Sequence, residues 1–331
     1  MTQRFVRIGG WGKYLPERIM PNSELAELVD TSDEWIRSRT GIRERRIAAP
    51  DETTCTLAVH AARAALDQAQ VRPEDLDLII VATCTPDYAS MPATASLVQH
   101  ALGAARAGAF DLNAVCSGFL YGLATGSQFI LSGAHRSVLV IGADVFTRIL
   151  DWQDRSTCVL FGDGAGAVVL QPTHEPGGLL SFVLGSDGAG ACSLYVPAGG
   201  SRAPTSAETV TARAHYVKMQ GRDVFRFATR VVPESVLQAV AQAGLTTHDI
   251  DVFIPHQANV RIIDATARRL KLPPSVVFSN VERYGNTSAA SIPVALCEAV
   301  ETDRVKAGST VVLSGFGAGL SWGTAVWKWQ A

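Results

Sequence analysis

The feature that most limits how this chain can fold is that it repeats itself. Residues 65–83 read ALDQAQVRPEDLDLIIVAT and residues 239–257 read AVAQAGLTTHDIDVFIPHQ. At a constant offset of 174, Ala65, Gln68, Ala69, Asp75 and Asp77 recur as Ala239, Gln242, Ala243, Asp249 and Asp251. Each segment reads as the end of an amphipathic helix, a polar turn and a buried strand. A second pair follows in the same order: SVLVIGAD (137–144) and STVVLSGF (309–316), each a buried strand ending in a glycine turn. Between these markers each half carries a further strand-turn-helix unit. AFDLNAV leads into CSGFLYGLATGSQFIL, and SVVFSNVERYGN leads into TSAASIPVALCEAV. Each half closes on a strand-like run, GAGAVVL (164–170) and GTAVWKW (323–329). Strands alternating with helices in two copies predict an α/β fold of two pseudo-symmetric βαβαβ-type halves. The join falls in QPTHEPG, giving halves 1–174 and 175–331. Residues 185–215, rich in Gly, Ala, Ser and Thr, read as an irregular flap from the second half.

Composition narrows the function classes. Apolar residues make up 47% of the chain and charged residues 18%, which fits a packed core. The net charge of −2 gives no general drive toward nucleic acid or an anionic membrane. Cysteines at 55, 84, 116, 158, 192 and 297 show no CxxC spacing, so a zinc or dithiol site is not suggested. They read as free thiols of a cytoplasmic protein, and the first residues show no secretory signal. Leu112 to Ala134 lacks charge and is long enough to span a bilayer, but four glycines and several polar residues interrupt it. It is read as a strand end and a buried helix of a soluble core.

Cys116 and Asn286 lie 170 residues apart, close to the repeat offset, where a strand-turn unit enters a small-residue helix. Pseudo-symmetry predicts that these two helix starts face each other. His256 follows the apolar strand DVFIP, at the carboxyl end where open α/β sheets place their chemistry. A helix N-terminus favours thiolate over thiol and offers N–H groups to an oxyanion. Cys, His and Asn from distant segments fit covalent acyl transfer. Each residue also has a plain structural explanation: a packed core thiol, a hydrogen-bonded histidine, a helix cap. Cys84 also ends a strand, so position does not fix the reaction.

The motifs NAVCSGF (113–119), PHQAN (255–259) and YGNTSAAS (284–291) resemble the three active-site motifs of the β-ketoacyl-acyl carrier protein synthase III family. TSDEWIRSRTGIRERRIA (31–48), LFGDGAGAVVL (160–170) and SGFGAGLSWG (314–323) match the same family in order. The resemblance implies a thiolase-like fold with its two halves layered α/β/α/β/α. It implies an acyltransferase in which Cys116 takes the acyl group of an acyl-coenzyme A primer. His256 and Asn286 would then stabilise the enolate formed as malonyl-acyl carrier protein loses carbon dioxide. The N–H groups of Cys116 and Gly317 would form the oxyanion hole. No metal and no tightly bound cofactor is called for.

The resemblance also places Trp35 against adenine, Arg39 and Arg155 at the adenine and phosphate end, and Asn259 and Gly221 along the pantetheine arm. Arg261 and Arg268 share one helical face, with Arg269 and Lys271 nearby and Arg222 and Arg226 on the preceding element. That basic face suits an acidic carrier protein. The resemblance further implies a homodimer in which Met91 or its neighbours line the partner's acyl pocket. The loop TCTPDYASMPATAS (83–96) departs from the family form by one extra residue and lacks its usual phenylalanine. GDGAG (162–166) lacks the Walker lysine and reads as a packing turn. Other readings are a ketosynthase of a specialised pathway, a non-decarboxylating thiolase and a non-catalytic acyl-binding partner. A thiolase needs a second catalytic cysteine where Gly317 stands, and a mere binder would not need Cys116.

Overall fold

The computed structural model describes residues 4–330 and shows two mixed sheets built to the same order. The first runs Phe5–Tyr14, Gly164–Thr173, Val138–Asp144, Leu78–Ala82, Gly108–Leu112. The second runs Gly178–Ser186, Ser321–Lys328, Thr310–Gly317, Val252–Pro255. In each, the later strands of the order pair in parallel and the earlier ones antiparallel. The turn Pro73–Asp75 and the strand starting at Leu78 recur, at the 174 offset, as Thr247–Asp249 and the strand starting at Val252.

One expected strand is reduced. SVVF (275–278) forms a single bridge, Val277 to Phe253, where the first sheet has the full strand Gly108–Leu112. Pro273 and Pro274 precede it, and a proline cannot donate to a strand ladder. The flap carries little regular structure: the 3-10 segment Gly188–Ser193, the two-residue strand Leu194–Tyr195, which pairs with Lys218–Met219 just beyond it, and a short helix, Ala207–Thr211.

The central strands are buried on both faces, and their side chains divide by alternation. Leu78, Ile80, Val138 and Val140 enter a central cluster with Leu313, Ile254 and Trp327 of the second sheet. Ile79, Val81, Leu139 and Ile141 point the other way, onto the outer helix Thr54–Ala69. The outer helices of the second sheet are Gly221–Gln242 and Val260–Leu270. Helices Gly118–Leu131 and Ser291–Glu301 lie between the sheets, completing α/β/α/β/α. Small residues bring them close. A Cβ on Gly122 would stand 3.0 Å from Val140 Cγ1, and one on Gly126 would stand 3.1 Å from Leu170, Val138 and Val140. These are the glycines that interrupt the uncharged Leu112–Ala134 stretch. Among the described residues no helix is long and apolar enough to cross a membrane.

Candidate active site

Both inner helices begin with the same local device. Asn113 Oδ1 accepts from the Val115 N–H at 3.1 Å, and Asn286 Oδ1 accepts from the Ser288 N–H at 2.9 Å. Val115 and Ser288 then take left-handed φ values of 50° and 51°. Each starts a one-turn 3-10 segment, Val115–Ser117 and Ser288–Ala290, that runs into its helix. The structural counterpart of Asn286 is therefore Asn113, and that of Cys116 is Ala289. Cys116 and Asn286, close to the repeat offset in spacing, thus differ by three residues in register, and the two helix starts converge as expected. Ser288 Oγ stands 3.5 Å from Cys116 Sγ.

Buried Asp144 ties the two turns together. Its Oδ1 accepts from Thr83, Cys84 and Thr85, and its Oδ2 from the Ala289 N–H at 3.1 Å. Asn286 is held by its backbone as well, donating to Leu160 O at 2.8 Å and accepting from the Gly162 N–H at 3.0 Å. A side chain at Gly162 would meet Tyr284 O at 2.6 Å, so the GDGAG run packs closely, but it is not the expected turn: from Gly164 it is the start of the strand Gly164–Thr173. With Asn286 Oδ1 occupied by Ser288, its Nδ2 is left to donate.

Cys116 is only 3% exposed. Burial pushes its thiol up to about 12, against the lowering effect of Ser288. Burial thus opposes, in the free protein, the thiolate form that the helix start was expected to favour. The sulfur donates to Ser288 Oγ. Cys84 Sγ stands 3.7 Å from the same hydroxyl.

His256 follows the strand Val252–Pro255 and is tied to Ser314 O through its N–H at 2.8 Å. Its ring meets Phe316 edge-on, with centroids 5.4 Å apart. Nδ1 is bonded to Ser291 Oγ, and buried Nε2 has no partner among the described residues. Burial pushes the imidazole down to about 3, so the ring is neutral. Gln257 fixes the loop by donating to Pro255 O and accepting from the N–H groups of Asn280 and Val281. At Gly317 a Cβ would lie 2.8 Å from Cys116 N, so only glycine lets these two backbones approach.

A cavity of about 220 Å³ joins these groups. Cys116, His256, Asn286 and Gly317 line its inner end. Trp35, Arg39, Arg155, Gly221 and Asn259 line the rest, so the residues expected along the coenzyme A path share one channel with the candidate reacting groups. The Arg155 guanidinium lies 5.1 Å from the centre of the Trp35 ring. Trp35 sits in the helix Asp33–Thr40, capped by Ser32. Asn259 also serves the fold, capping Val260–Leu270 and donating to Arg39 O at 3.1 Å. A second cavity of about 420 Å³ opens beyond Cys84, against Thr85, Val145 and Ile149.

The remaining expected residues lie outside the channel. Arg226, Arg261 and Arg268 are exposed on the second half's outer helices. Arg269 is engaged there, with Glu234 at 3.0 Å and Thr229 O at 3.2 Å, joining the two helices. Met91 stands 78% exposed in the loop before Thr94–Leu102. Sequence reasoning missed Asp144, Gln257, Ser288 and Ser291. The last two lie inside the YGNTSAAS motif, where a serine at a helix start reads as a cap.

The sequence matches two family profiles: 3-oxoacyl-[acyl-carrier-protein] synthase III over residues 110–188 and its C-terminal counterpart over 240–329. It is 57% identical to a β-ketoacyl-[acyl-carrier-protein] synthase III of Symbiobacterium thermophilum, covering 99% of both chains. The fold superposes on the 3-oxoacyl-[acyl-carrier-protein] synthase III of Aquifex aeolicus with a TM-score of 0.91 at 44% identity, covering 98% of this chain and all of that one. It is also similar to the priming β-ketosynthase of the R1128 polyketide pathway, with a TM-score of 0.92 at 40% identity over 99% of this chain and 97% of the other.

Proposed function

The chain belongs to the β-ketoacyl-[acyl-carrier-protein] synthase III family, and from that membership we propose how its own residues divide the work of the family's reaction. That reaction is a decarboxylative condensation of an acyl-coenzyme A primer with a malonyl thioester on an acyl carrier protein. It starts fatty acid synthesis.

In the first step Cys116 sulfur attacks the primer thioester. The carbon–sulfur bond to coenzyme A breaks, and the thiol proton ends on the departing sulfur. The N–H groups of Cys116 and Gly317 receive the oxyanion, a role their backbone proximity supports. In the second step the malonyl carbon–carbon bond breaks and carbon dioxide leaves. The charge moves to the thioester oxygen, where His256 Nε2 and Asn286 Nδ2 donate. The enolate carbon attacks the acyl carbonyl, the acyl carbon–sulfur bond breaks, and Cys116 leaves as thiolate and takes one proton from water to return to the thiol. The observation that carries this assignment is that Ser288 and Ser291 occupy Asn286 Oδ1 and His256 Nδ1, leaving one donor-capable nitrogen on each side chain at the same cavity.

The coenzyme A arm enters along Trp35, Arg39, Arg155, Gly221 and Asn259. The carrier protein docks on Arg226, Arg261 and Arg268, with Arg269 holding the helices beneath. The halves 1–174 and 175–331 act as the nucleophile-bearing and donor-bearing units. Two copies of the chain associate through the first half: Met91 and Tyr88 are 78% and 53% exposed there, beside the sheet-edge strand Gly108–Leu112. Six free cysteines suit a reducing cytoplasm. The R1128 relative favours one further reading, a primer supplied to a specialised pathway. A panel of primers assayed with the malonyl-carrier protein separates the two.

The test of the assignment treats the half-reactions apart. Labelled acyl-coenzyme A should leave its acyl group on Cys116 in both the native protein and His256→Ala. Carbon dioxide release from the malonyl-carrier protein should fall in His256→Ala by roughly 100-fold or more. Label found on Cys84 instead, or undiminished decarboxylation, would reject it.

A further inference from the structure

We propose that Ser291 is a positioning residue that holds His256 in the tautomer with its hydrogen on Nε2, reserving that ring as a donor and withholding it as a base for Cys116. The inference rests on the donor role assigned to His256 above. Ser291 opens the inner helix Ser291–Glu301 and is 2% exposed. Its Oγ stands 2.5 Å from His256 Nδ1 and 3.4 Å from Gln257 N. A backbone amide only donates, so Oγ accepts from Gln257. The hydroxyl hydrogen then requires an acceptor of its own, since a buried donor left unmade is costly. His256 Nδ1 is the acceptor at hand. A ring nitrogen that accepts carries no hydrogen, and the single hydrogen of a neutral imidazole must therefore sit on Nε2.

The surroundings agree with that assignment. Burial keeps the ring neutral. Nε2 is buried without a partner among the described residues, and His256 lines the same cavity as Asn286. The opposite tautomer would strand the Ser291 hydroxyl hydrogen and turn a lone pair toward the cavity. A lone pair repels an enolate oxygen, whereas an N–H stabilises it. Cys116, for its part, is already paired with Ser288. Ser291 thus lets His256 serve decarboxylation, while acylation proceeds without it.

The tautomer can be read directly. The full-length protein is labelled with ¹⁵N-histidine, and long-range ¹⁵N–¹H correlation spectra are recorded with and without His256→Ala to identify the signals of that ring. The native protein should show Nε2 protonated and Nδ1 bare from pH 8 down to pH 5. A native spectrum with Nδ1 protonated overturns the inference without need of a variant. In Ser291→Ala the two tautomers should mix, and kcat for decarboxylation should drop roughly tenfold, the scale lost when the partner orienting a functional histidine is removed. KM and the rate of Cys116 acylation should hold. Ser291→Thr, which restores a hydroxyl, should recover both spectrum and rate. A Ser291→Ala protein that keeps Nε2 protonated and decarboxylates at the native rate would overturn the proposal. Normal decarboxylation by His256→Ala would instead remove the donor role itself, and with it the reason to hold the tautomer.

Discussion

The turn that begins at Asn113 and the turn that begins at Asn286 share a backbone and differ in which position carries a proposed reacting group. Both close on an asparagine oxygen, both pass through a left-handed third residue, and both launch an inner helix. In the first half the fourth position, Cys116, is the proposed nucleophile, and Asn113 at the first is exposed. In the second half the fourth is Ala289, and the first, Asn286, is buried at the cavity. Duplication thus supplies two matched frames aimed at one point. The proposed nucleophile and donor come from different slots of those frames, so they do not compete for the same space. The outer helices diverge too. Carried over at the 174 offset, Thr54 falls on Ala228, yet the second-half helix begins at Gly221. Those added turns bring Gly221, Val224 and Phe225 to the channel and carry Arg222 and Arg226 beside it.

The largest effect that would break this comparison comes from treating the two asparagines alike. Asn286→Ala should cut decarboxylation by roughly 100- to 1,000-fold while acyl transfer to Cys116 persists. Asn113→Ala removes the same kind of turn bond at an exposed place and should cost ~1 kcal/mol of stability or less, with both half-reactions intact. Equal losses from the two changes would mean that Asn286 serves only its turn. Next in size is the pH response of Cys116. With its thiol held up at about 12, the thiolate fraction rises tenfold for each pH unit below that value. Alkylation of Cys116 should climb at that slope from pH 6 to pH 9. A plateau near neutral pH would show the helix start, not burial, in control.

A smaller effect concerns protein stability. His256 has a folded value near 3, below its ordinary 6.5. Above 6.5 the ring is neutral whether the chain is folded or not. As pH falls from 6.5 toward 3, only the unfolded chain takes up the proton, so stability declines across that window. His256→Gln should flatten the decline seen in denaturant melts. The smallest effect lies on the second half's basic face. Arg261→Glu with Arg268→Glu should raise KM for the malonyl-carrier protein several-fold at low salt, where ~1 kcal/mol of steering and rim pairing is lost. Arg269→Glu should act on stability more than on KM, because it breaks the contact with Glu234.

The layered fold was legible because hydrophobic period and internal repetition both survive in the sequence. The three side chains proposed to react could be singled out because each ends a strand or opens a helix within a matched motif. What escaped was whatever depends on a through-space partner. Nothing in YGNTSAAS separates Ser288, which meets a thiol, from Ser291, which meets an imidazole. Asp144 reads as a strand-end residue until five donors converge on it. Spacing alone brought Cys116 and Asn286 near the same repeat position without fixing the register. The shared asparagine of NAVCSG and NTSAAS marks the true register. The upward push on the Cys116 thiol was not legible because sequence shows a helix start but not the dryness around it.

The central apolar cluster draws on strands of both halves at once. Neither half owns a complete interior, so neither can melt alone without exposing the face it shares with the other. The chain should therefore denature in a single cooperative step, with one calorimetric peak whose enthalpy matches the van't Hoff value. A chain cut at the join would yield two insoluble pieces in place of two small proteins. The inheritance of this arrangement is an all-or-none molecule: a pair of similar folds that can no longer be taken apart.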